Sequence, residues 1–121
     1  MAPKIAEVAE MGIRALKLAH GGGVKIAYGT DLLGSMQRRQ LEEFKIRAAL
    51  QSPAELIRSA TVTAAALFRL SKEIGTVDPG KRADLLIVGG DPLSDISFLQ
   101  QPDRNLLAIL KGGQLVKNNL P

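Results

Sequence analysis

The hydrophobic pattern of this chain changes character at Ser71, and that change limits the possible folds more than any other feature. Before Ser71, apolar residues recur at helical spacing on both sides of one short apolar run. After it, turn residues separate short apolar runs that are typical of strands. The sequence therefore predicts an α/β chain in two parts, with helices around one strand in residues 1–70 and β-strands in residues 71–121.

The first part opens with a predicted helix over residues 4–20. Apolar residues recur there at spacings of three and four, and the three glycines after His20 are typical of a helix end. His20 itself suits the negative end of the helix dipole. The next run, VKIAY at residues 24–28, is short and mostly apolar, as expected for a strand covered on both faces. A loop over residues 29–36 then leads to a second predicted helix over residues 37–50.

The helical segments that follow carry pairs and caps that can be identified from spacing. Glu43 and Arg47 lie one helical turn apart, and we expect them to pair on the outer face of the second helix. Ser52 and Glu55, with a proline between them, have the spacing of a capping box that starts a third helix. Thr61 is a candidate N-cap for a further short helix. The pattern leaves open whether these last two helices are continuous.

The pattern of the second part of the chain predicts a small group of β-strands. DLLIV at residues 84–88 is a buried-type strand, and LLAILKGGQLVKN at residues 106–118 predicts two strands joined by a hairpin turn at its glycines. Four aspartates lie in turns or at strand edges, where they fit turn capping better than chemistry. They are Asp78, Asp84, Asp91 and Asp95.

Composition excludes several classes of protein. Without cysteine the chain has no disulfide framework and no thiolate metal site. The formal net charge is +4, but the basic residues are scattered among acidic ones and the few aromatic residues offer little surface for base stacking, so we expect no nucleic-acid partner. No apolar stretch is long enough to span a bilayer, and the amino terminus is too charged for a signal peptide. We therefore expect a cytoplasmic protein with no membrane partner.

Asp31 is the strongest candidate for a chemical role. It follows the predicted strand in a Gly29-Thr30-Asp31 triplet, which places a carboxylate where parallel-sheet enzymes keep their sites. Gly29 would allow a tight turn or a close ligand, and Thr30 could hold the carboxylate through its hydroxyl. An Asx turn leading into the next helix explains the same residues equally well. His20 is the single histidine, and its place in a last helical turn favours a cap over a metal or catalytic role.

Three motifs in order resemble the C-terminal part of the metal-dependent amidohydrolase family, and most closely its prolidase-like and imidazolonepropionase-like branches. The first is VKIAYGTDLLG, with the Gly-Thr-Asp triplet. The second is the helical stretch SPAELIRSATVTAAALFRL, and the third is IGTVDPGKRADLLIVGGDPLSDI. Together they extend the resemblance over nearly the whole chain.

The resemblance implies a fold and a site. It makes the chain the C-terminal fragment of a (β/α)8 barrel, comprising its last helix-strand-helix units, plus the C-terminal strands of a small β-sandwich. Residues 24–28 would be the eighth barrel strand, and residues 75–117 would belong to the sandwich. Asp31 would match the family's strand-eight aspartate, which binds a divalent metal, commonly zinc, and takes the proton from the attacking water. That role agrees with general metal-assisted hydrolysis.

The resemblance also implies that much of the site lies outside this sequence. The family's other metal ligands are histidines and a bridging group on earlier strands, and a whole barrel needs roughly 250 residues. We therefore expect a C-terminal segment of an enzyme that hydrolyses C–N bonds in an amide, dipeptide or cyclic amide, inactive and without tightly bound zinc when isolated. Two alternatives stay open. The chain could be a non-enzymatic module that self-associates as a dimer or higher oligomer, or an enzyme whose missing ligands come from partner chains.

Overall fold

The computed structural model describes residues 2–121, which form a mixed α/β structure. Five α-helices occur in this part of the chain: α1 (Ala2–Gly21), α2 (Glu42–Ala48), α3 (Pro53–Ala60), α4 (Val62–Leu67) and α5 (Pro102–Asn105). Two 3-10 helices occur at Gly34–Arg39 and Ile96–Gln100. Three strands follow the helical half: β1 (Leu85–Val88), β2 (Leu106–Lys111) and β3 (Gln114–Asn118).

Helix α1 confirms the first predicted helix and ends where the glycines occur. The amide of Gly22 donates to the Leu18 carbonyl at 2.9 Å, and the amide of Val24 donates to the Ala19 carbonyl at 3.0 Å. Gly23 has φ +73°, the left-handed conformation that lets the chain leave the helix. Most of the described side chains of α1 are exposed, so this helix projects from the rest of the chain with its apolar residues uncovered.

The predicted strand over residues 24–28 is wrong for this structure, because the segment has no regular secondary structure. Beyond the Val24 amide bond that ends α1, the described backbone bond of this segment runs from the Tyr28 amide to the Ser59 carbonyl at 3.0 Å. A strand needs a neighbour to satisfy its backbone groups. Within residues 2–121 the only sheet is the one made of β1, β2 and β3, and this segment pairs with none of its strands.

The second predicted helix is present in two pieces. Residues Gly34–Arg39 form a 3-10 helix, and α2 starts only after Leu41, whose side chain cannot cap it. The expectation that Arg47 lies on the outer face is wrong. Its side chain is 2% exposed, although Nη1 does lie 3.4 Å from the Glu43 Oε1 atom as the spacing predicts. The helix therefore turns this arginine inward.

The capping box at the start of α3 is confirmed. The Glu55 amide donates to Ser52 Oγ at 3.3 Å, and the Ser52 amide donates to Glu55 Oε2 at 2.7 Å. Helices α3 and α4 are separate, since Thr61 leaves helical geometry with φ −120° and ψ −84°. Thr61 does not cap α4 with its side chain. Its hydroxyl donates back to the Ile57 carbonyl at 2.7 Å.

The sheet is antiparallel, in the order β1-β2-β3. Both the strand predicted over residues 84–88 and the hairpin predicted over residues 106–118 are confirmed. The hairpin turns at Gly112 and Gly113, which both have positive φ as a type I′ turn requires. Strands β1 and β3 are the two edges of this sheet, so each has one row of backbone groups without a strand partner in residues 2–121.

The main apolar core connects the helical half to the β half. Phe44 of α2, Leu56 of α3 and Ile96 of the second 3-10 helix are all buried and form one cluster. Tyr28 packs against this cluster from the segment after α1. The core therefore holds the residues just before Asp31 against α2 and α3. The division of the chain at residue 70 into two domains remains a prediction.

Candidate functional site

Asp31 lies in the irregular segment between α1 and the first 3-10 helix. Its side chain is exposed, and its backbone has φ +52°, a left-handed conformation that non-glycine residues adopt infrequently. Its carboxylate has no hydrogen-bond partner among the described residues, and the expected bond from the Thr30 hydroxyl is absent. The carboxylate is therefore free to accept a proton or to bind a cation.

The backbone freedom expected of Gly29 is used two residues later. Gly29 does not have positive φ, and a Cβ atom added to it would have no neighbour within 4 Å. Asp31 itself makes the left-handed turn. Aspartate is one of the residues that adopt this conformation more often than other non-glycine residues do.

Tyr28 anchors the segment that precedes Asp31. Besides its amide bond to Ser59, its hydroxyl donates to the Gln40 carbonyl, and its ring lies 4.5 Å from the Phe44 ring. Burial is the main cause that raises the pKa of the Tyr28 hydroxyl to about 12; the Glu43 carboxylate raises that pKa further, whereas nearby positive charge lowers it. Tyr28 therefore stays neutral at physiological pH and works as a fixed anchor.

Arg47 packs beside this anchor and was missed as a candidate site residue. Its Nε donates to Gln51 Oε1 at 2.8 Å, its Nη1 points at the Ala27 carbonyl at 3.4 Å, and its Cζ lies 5.7 Å from the centre of the Tyr28 ring. The sequence did contain a clue, because Arg47 follows the apolar Phe44 by three residues and so shares its side of the helix.

A shallow groove of about 280 Å³ opens next to Asp31. Thr30 and Leu32, the two neighbours of Asp31, line it together with charged and apolar side chains of the next two helices. Those are Met36, Arg39, Glu42, Glu43 and Ile46. Arg39 is already paired, since its Nη2 lies 2.8 Å from Glu42 Oε2. Asp31 itself is not part of the lining.

The described side-chain contact of His20 is with Glu55 and not with Asp31. The His20 Nε2 lies 3.0 Å from Glu55 Oε1, and Glu55 also accepts the two bonds from Ser52. Those bonds, led by the Ser52 amide and followed by His20, lower the pKa of the Glu55 carboxyl to about 2. His20 therefore connects the end of α1 to the capping box of α3, whereas the sequence predicts a side-chain interaction at the end of its own helix.

The described residues do not form a complete metal site. No group of three or more His, Asp or Glu side chains comes together in residues 2–121 in a way that could hold an ion. Asp31 would be one ligand, whereas zinc sites use three or four protein ligands. The described residues therefore offer at most one of the three or four ligands that a zinc site needs.

The turn aspartates occupy the capping positions that the sequence predicts. The Asp91 carboxylate accepts from the Leu93 amide at 2.9 Å, Asp95 accepts from the Ser97 amide at 3.0 Å, and Asp84 accepts from the Gly112 amide at 2.7 Å. Asp78 accepts from the hydroxyl of Thr76. Each carboxylate organises its own loop or hairpin and is accounted for without a chemical role.

Across the described part of the chain, no helix is both long enough and apolar enough to cross a bilayer. The one long helix, α1, is interrupted by charged residues throughout its length. The structure therefore gives no indication of a membrane-spanning segment.

Comparison with known proteins agrees with these observations. The sequence profile of the Amidohydrolase family matches residues 1–116. The crystal structure of an amidohydrolase superposes with a TM-score of 0.91 at 39% identity, over 98% of this chain and 29% of that chain. A prolidase crystallised with N-methylphosphonate-L-proline gives a TM-score of 0.88 at 36% identity, over 96% of this chain and 28% of that chain.

A curated relative extends the comparison to a second branch. Imidazolonepropionase of Geobacillus thermodenitrificans is 33% identical over 100 residues, which cover 79% of this chain and 23% of the relative. The chain thus spans about a quarter of the length of the proteins that it matches. The match in sequence runs through nearly all of the described residues, and both the prolidase-like and the imidazolonepropionase-like resemblances are confirmed. The chain belongs to the amidohydrolase family.

Proposed function

We propose that this chain is the C-terminal segment of a metal-dependent amidohydrolase, and that Asp31 is the acid that it contributes to the active site. The observation that carries this proposal is the state of Asp31, an exposed and unpaired carboxylate held in a left-handed conformation directly after an anchored segment. Residues in unfavourable backbone conformations cluster at functional sites. The family match and the Gly29-Thr30-Asp31 triplet support the same assignment.

The proposed reaction is hydrolysis of a C–N bond in an amide or dipeptide. Water attacks the carbonyl carbon and forms a C–O bond, while Asp31 takes the proton that the water loses. When the C–N bond breaks, the same proton passes to the leaving nitrogen and restores the carboxylate. The prolidase among the structural relatives supports a dipeptide as the substrate, and the imidazolonepropionase supports a cyclic amide.

The metal is a proposal that rests on the family resemblance. A divalent ion, zinc in the first instance, would supply Lewis-acid chemistry to the reacting water. Since the described residues offer one candidate ligand, the remaining ligands would come from polypeptide outside this sequence. The isolated chain should therefore lose zinc to a weak chelator. Elemental analysis that finds stoichiometric zinc after dialysis would contradict this expectation.

The assignment of Asp31 can be tested in an assembled enzyme. The chain would be combined with the complementary N-terminal portion of the structurally matched prolidase, and hydrolysis of an Xaa-Pro dipeptide would be measured with zinc present. Asp31→Asn keeps the side-chain size but cannot accept the proton, so we expect turnover to fall by about 10² to 10⁴-fold. Asp103→Asn, an exposed aspartate of α5, is the matched control and should keep full activity.

Two outcomes of this experiment decide the matter. An assembled enzyme in which Asp31→Asn keeps more than about a third of wild-type turnover would show that Asp31 is not the base. An assembly that forms with a native-like spectrum and binds zinc, yet hydrolyses no amide, dipeptide or cyclic amide, would contradict the proposed reaction itself. A loss of turnover in Asp31→Asn counts as specific to the site only if the Asp103 variant keeps full activity.

A second candidate function is that of a self-associating module without enzymatic activity. The favouring observation is exposed apolar surface: Leu18 and Val8 of α1 are 77% and 67% exposed, and Leu86 at the β1 edge is 57% exposed. Monomeric proteins rarely leave large contiguous apolar patches uncovered, and an uncovered strand edge recruits other chains. We expect a dimer or a higher oligomer on this basis.

Light scattering coupled to gel filtration measures the mass directly. A dimer or larger species that becomes monomeric in Leu18→Glu would support association through α1, and Leu86→Glu tests the β1 edge in the same way. A monomer that melts cooperatively at micromolar concentration would contradict self-association. Cell fractionation in the native host tests the predicted cytoplasmic location.

A further inference from the structure

Arg47 carries a buried positive charge that helix formation alone does not require. The side chain is 2% exposed, and burial of a charge is costly unless it is paired and hydrogen-bonded. Two of its contacts are with residues four positions away: Nε donates to Gln51 Oε1, beyond the end of α2, at 2.8 Å, and Nη1 lies 3.4 Å from Glu43 Oε1. An exposed arginine could make the Glu43 contact without the cost of burial, but Gln51 is itself buried.

The remaining contacts of Arg47 reach across about twenty residues to the segment before Asp31. Nη1 points at the Ala27 carbonyl at 3.4 Å, and the guanidinium carbon lies 5.7 Å from the centre of the Tyr28 ring. A cation over an aromatic face is attracted by the ring, and the attraction grows when both groups are shielded from water. Arg47 therefore contacts the two consecutive residues that lead into Gly29-Thr30-Asp31.

We propose that Arg47 is a positioning residue that holds the Ala27–Tyr28 segment against α2 and thereby sets the place of Asp31. Residues 24–28 pair with no strand, so the place of this segment depends on individual hydrogen bonds and side-chain contacts. Tyr28 is held through its amide, its hydroxyl and its ring, and the guanidinium adds the one described contact to the Ala27 carbonyl. Only a planar, forked cation can contact Gln51, the carbonyl and the ring at once.

The guanidinium of Arg47 also has hydrogen-bonding capacity that its contacts in this structure do not use. Its Nη2 is buried and has no partner among the described residues, and the 3.4 Å contact to Ala27 is long for a hydrogen bond. An unsatisfied buried donor is unfavourable, so it favours any rearrangement that supplies an acceptor. We expect the contact of Arg47 with the Ala27–Tyr28 segment to shorten when the active site is assembled.

The inference can be tested on the isolated chain by amide hydrogen exchange. The Tyr28 amide, which donates to Ser59, reports the local segment, and the amides of β2 report global unfolding. In Arg47→Met we expect exchange at Tyr28 to rise by about tenfold while β2 exchange stays unchanged. Arg47→Lys keeps the charge but not the fork, and should restore protection only in part. Arg58→Met, an exposed arginine of α3, should change neither reporter.

A second readout separates positioning from a general structural effect. This part rests on the proposed function, because it requires the assembled enzyme. Arg47→Met should lower kcat by about tenfold or more and leave KM within about twofold, since it displaces the base and not the substrate. If amide exchange responds as expected but an assembled enzyme that binds zinc hydrolyses nothing, the guanidinium still holds the segment and only the proposed function fails.

Several results would overturn the inference. Exchange at Tyr28 within about twofold of wild type in Arg47→Met would show that the guanidinium does not hold the segment. An equal rise at Tyr28 and in β2 would show that Arg47 contributes only to global stability, and so would failure of both Arg47 variants to fold. Full protection in Arg47→Lys would show that charge alone suffices and that the fork has no role.

Discussion

Replacement of Asp31 by glycine should stabilise the isolated chain, although it removes the proposed base. The reason is the backbone, because Asp31 has φ +52°, where a side chain costs about 1 to 2 kcal/mol and glycine costs nothing. Glycine also gains freedom in the unfolded state, which removes about 0.5 to 1 kcal/mol of that advantage. The exposed carboxylate has no partner to lose. We therefore expect the free energy of unfolding to rise by about 0.5 to 1 kcal/mol.

Urea denaturation followed by circular dichroism measures this change, and the thermal midpoint should rise by roughly 2 to 5 °C. The matched control is Arg69→Gly, since Arg69 is also exposed and has φ +59° but lies far along the chain from the site. Both variants should gain similar stability, and only Asp31→Gly should abolish hydrolysis in the assembled enzyme. A loss of stability in Asp31→Gly alone would refute the reasoning, because it would reveal a stabilising contact of the carboxylate.

Three further predictions follow from other contacts. Glu55→Gln should destabilise the chain at neutral pH. The Ser52 amide and further bonds lower the pKa of Glu55 from 4.5 to about 2. The difference in free energy of unfolding from wild type, measured by urea denaturation, should therefore shrink as pH falls through that range. Burial raises the Tyr28 pKa from 10.0 to about 12, so stability relative to Tyr28→Phe should be full below pH 10 and fall between pH 10 and about 12; a constant difference across that range would contradict it. Gly75→Ala should cost about 3 kcal/mol, since its Cβ would lie 2.7 Å from a side chain of α4 at φ +99°, whereas Gly80→Ala, with φ +86° and open space, should cost about 1 kcal/mol.

Features that depend on short sequence distance could be predicted from the sequence. The capping box needs only Ser52 and Glu55 at the right spacing, and the hairpin needs only the two glycines between apolar runs. The interactions that form them are made by neighbours along the chain, so tertiary context has little chance to change them. The same holds for the end of α1 at its glycines.

Features that depend on distant residues could not be predicted in this way. VKIAY has the pattern of a covered strand, yet a strand forms only where another strand can pair with it, and pattern gives no information about that. For Arg47, the spacing to Glu43 correctly predicts a pair but says nothing about which face is buried. The fold around Tyr28 decides that, and the role of Asp31 came from the family resemblance and not from spacing.

The contrast between the β hairpin and residues 24–28 indicates how the site would be completed. Strands β2 and β3 are joined by a two-residue turn, so the loss of chain entropy on closing this loop is small. Residues 24–28 have no strand neighbour close in sequence and are irregular in this chain, but Tyr28 and Arg47 already hold their end beside α2 and α3. Association with the remainder of an amidohydrolase would then need to order only the start of the segment. We therefore expect Asp31 to reach its final place with a small further change, since the most costly part of its loop is already fixed.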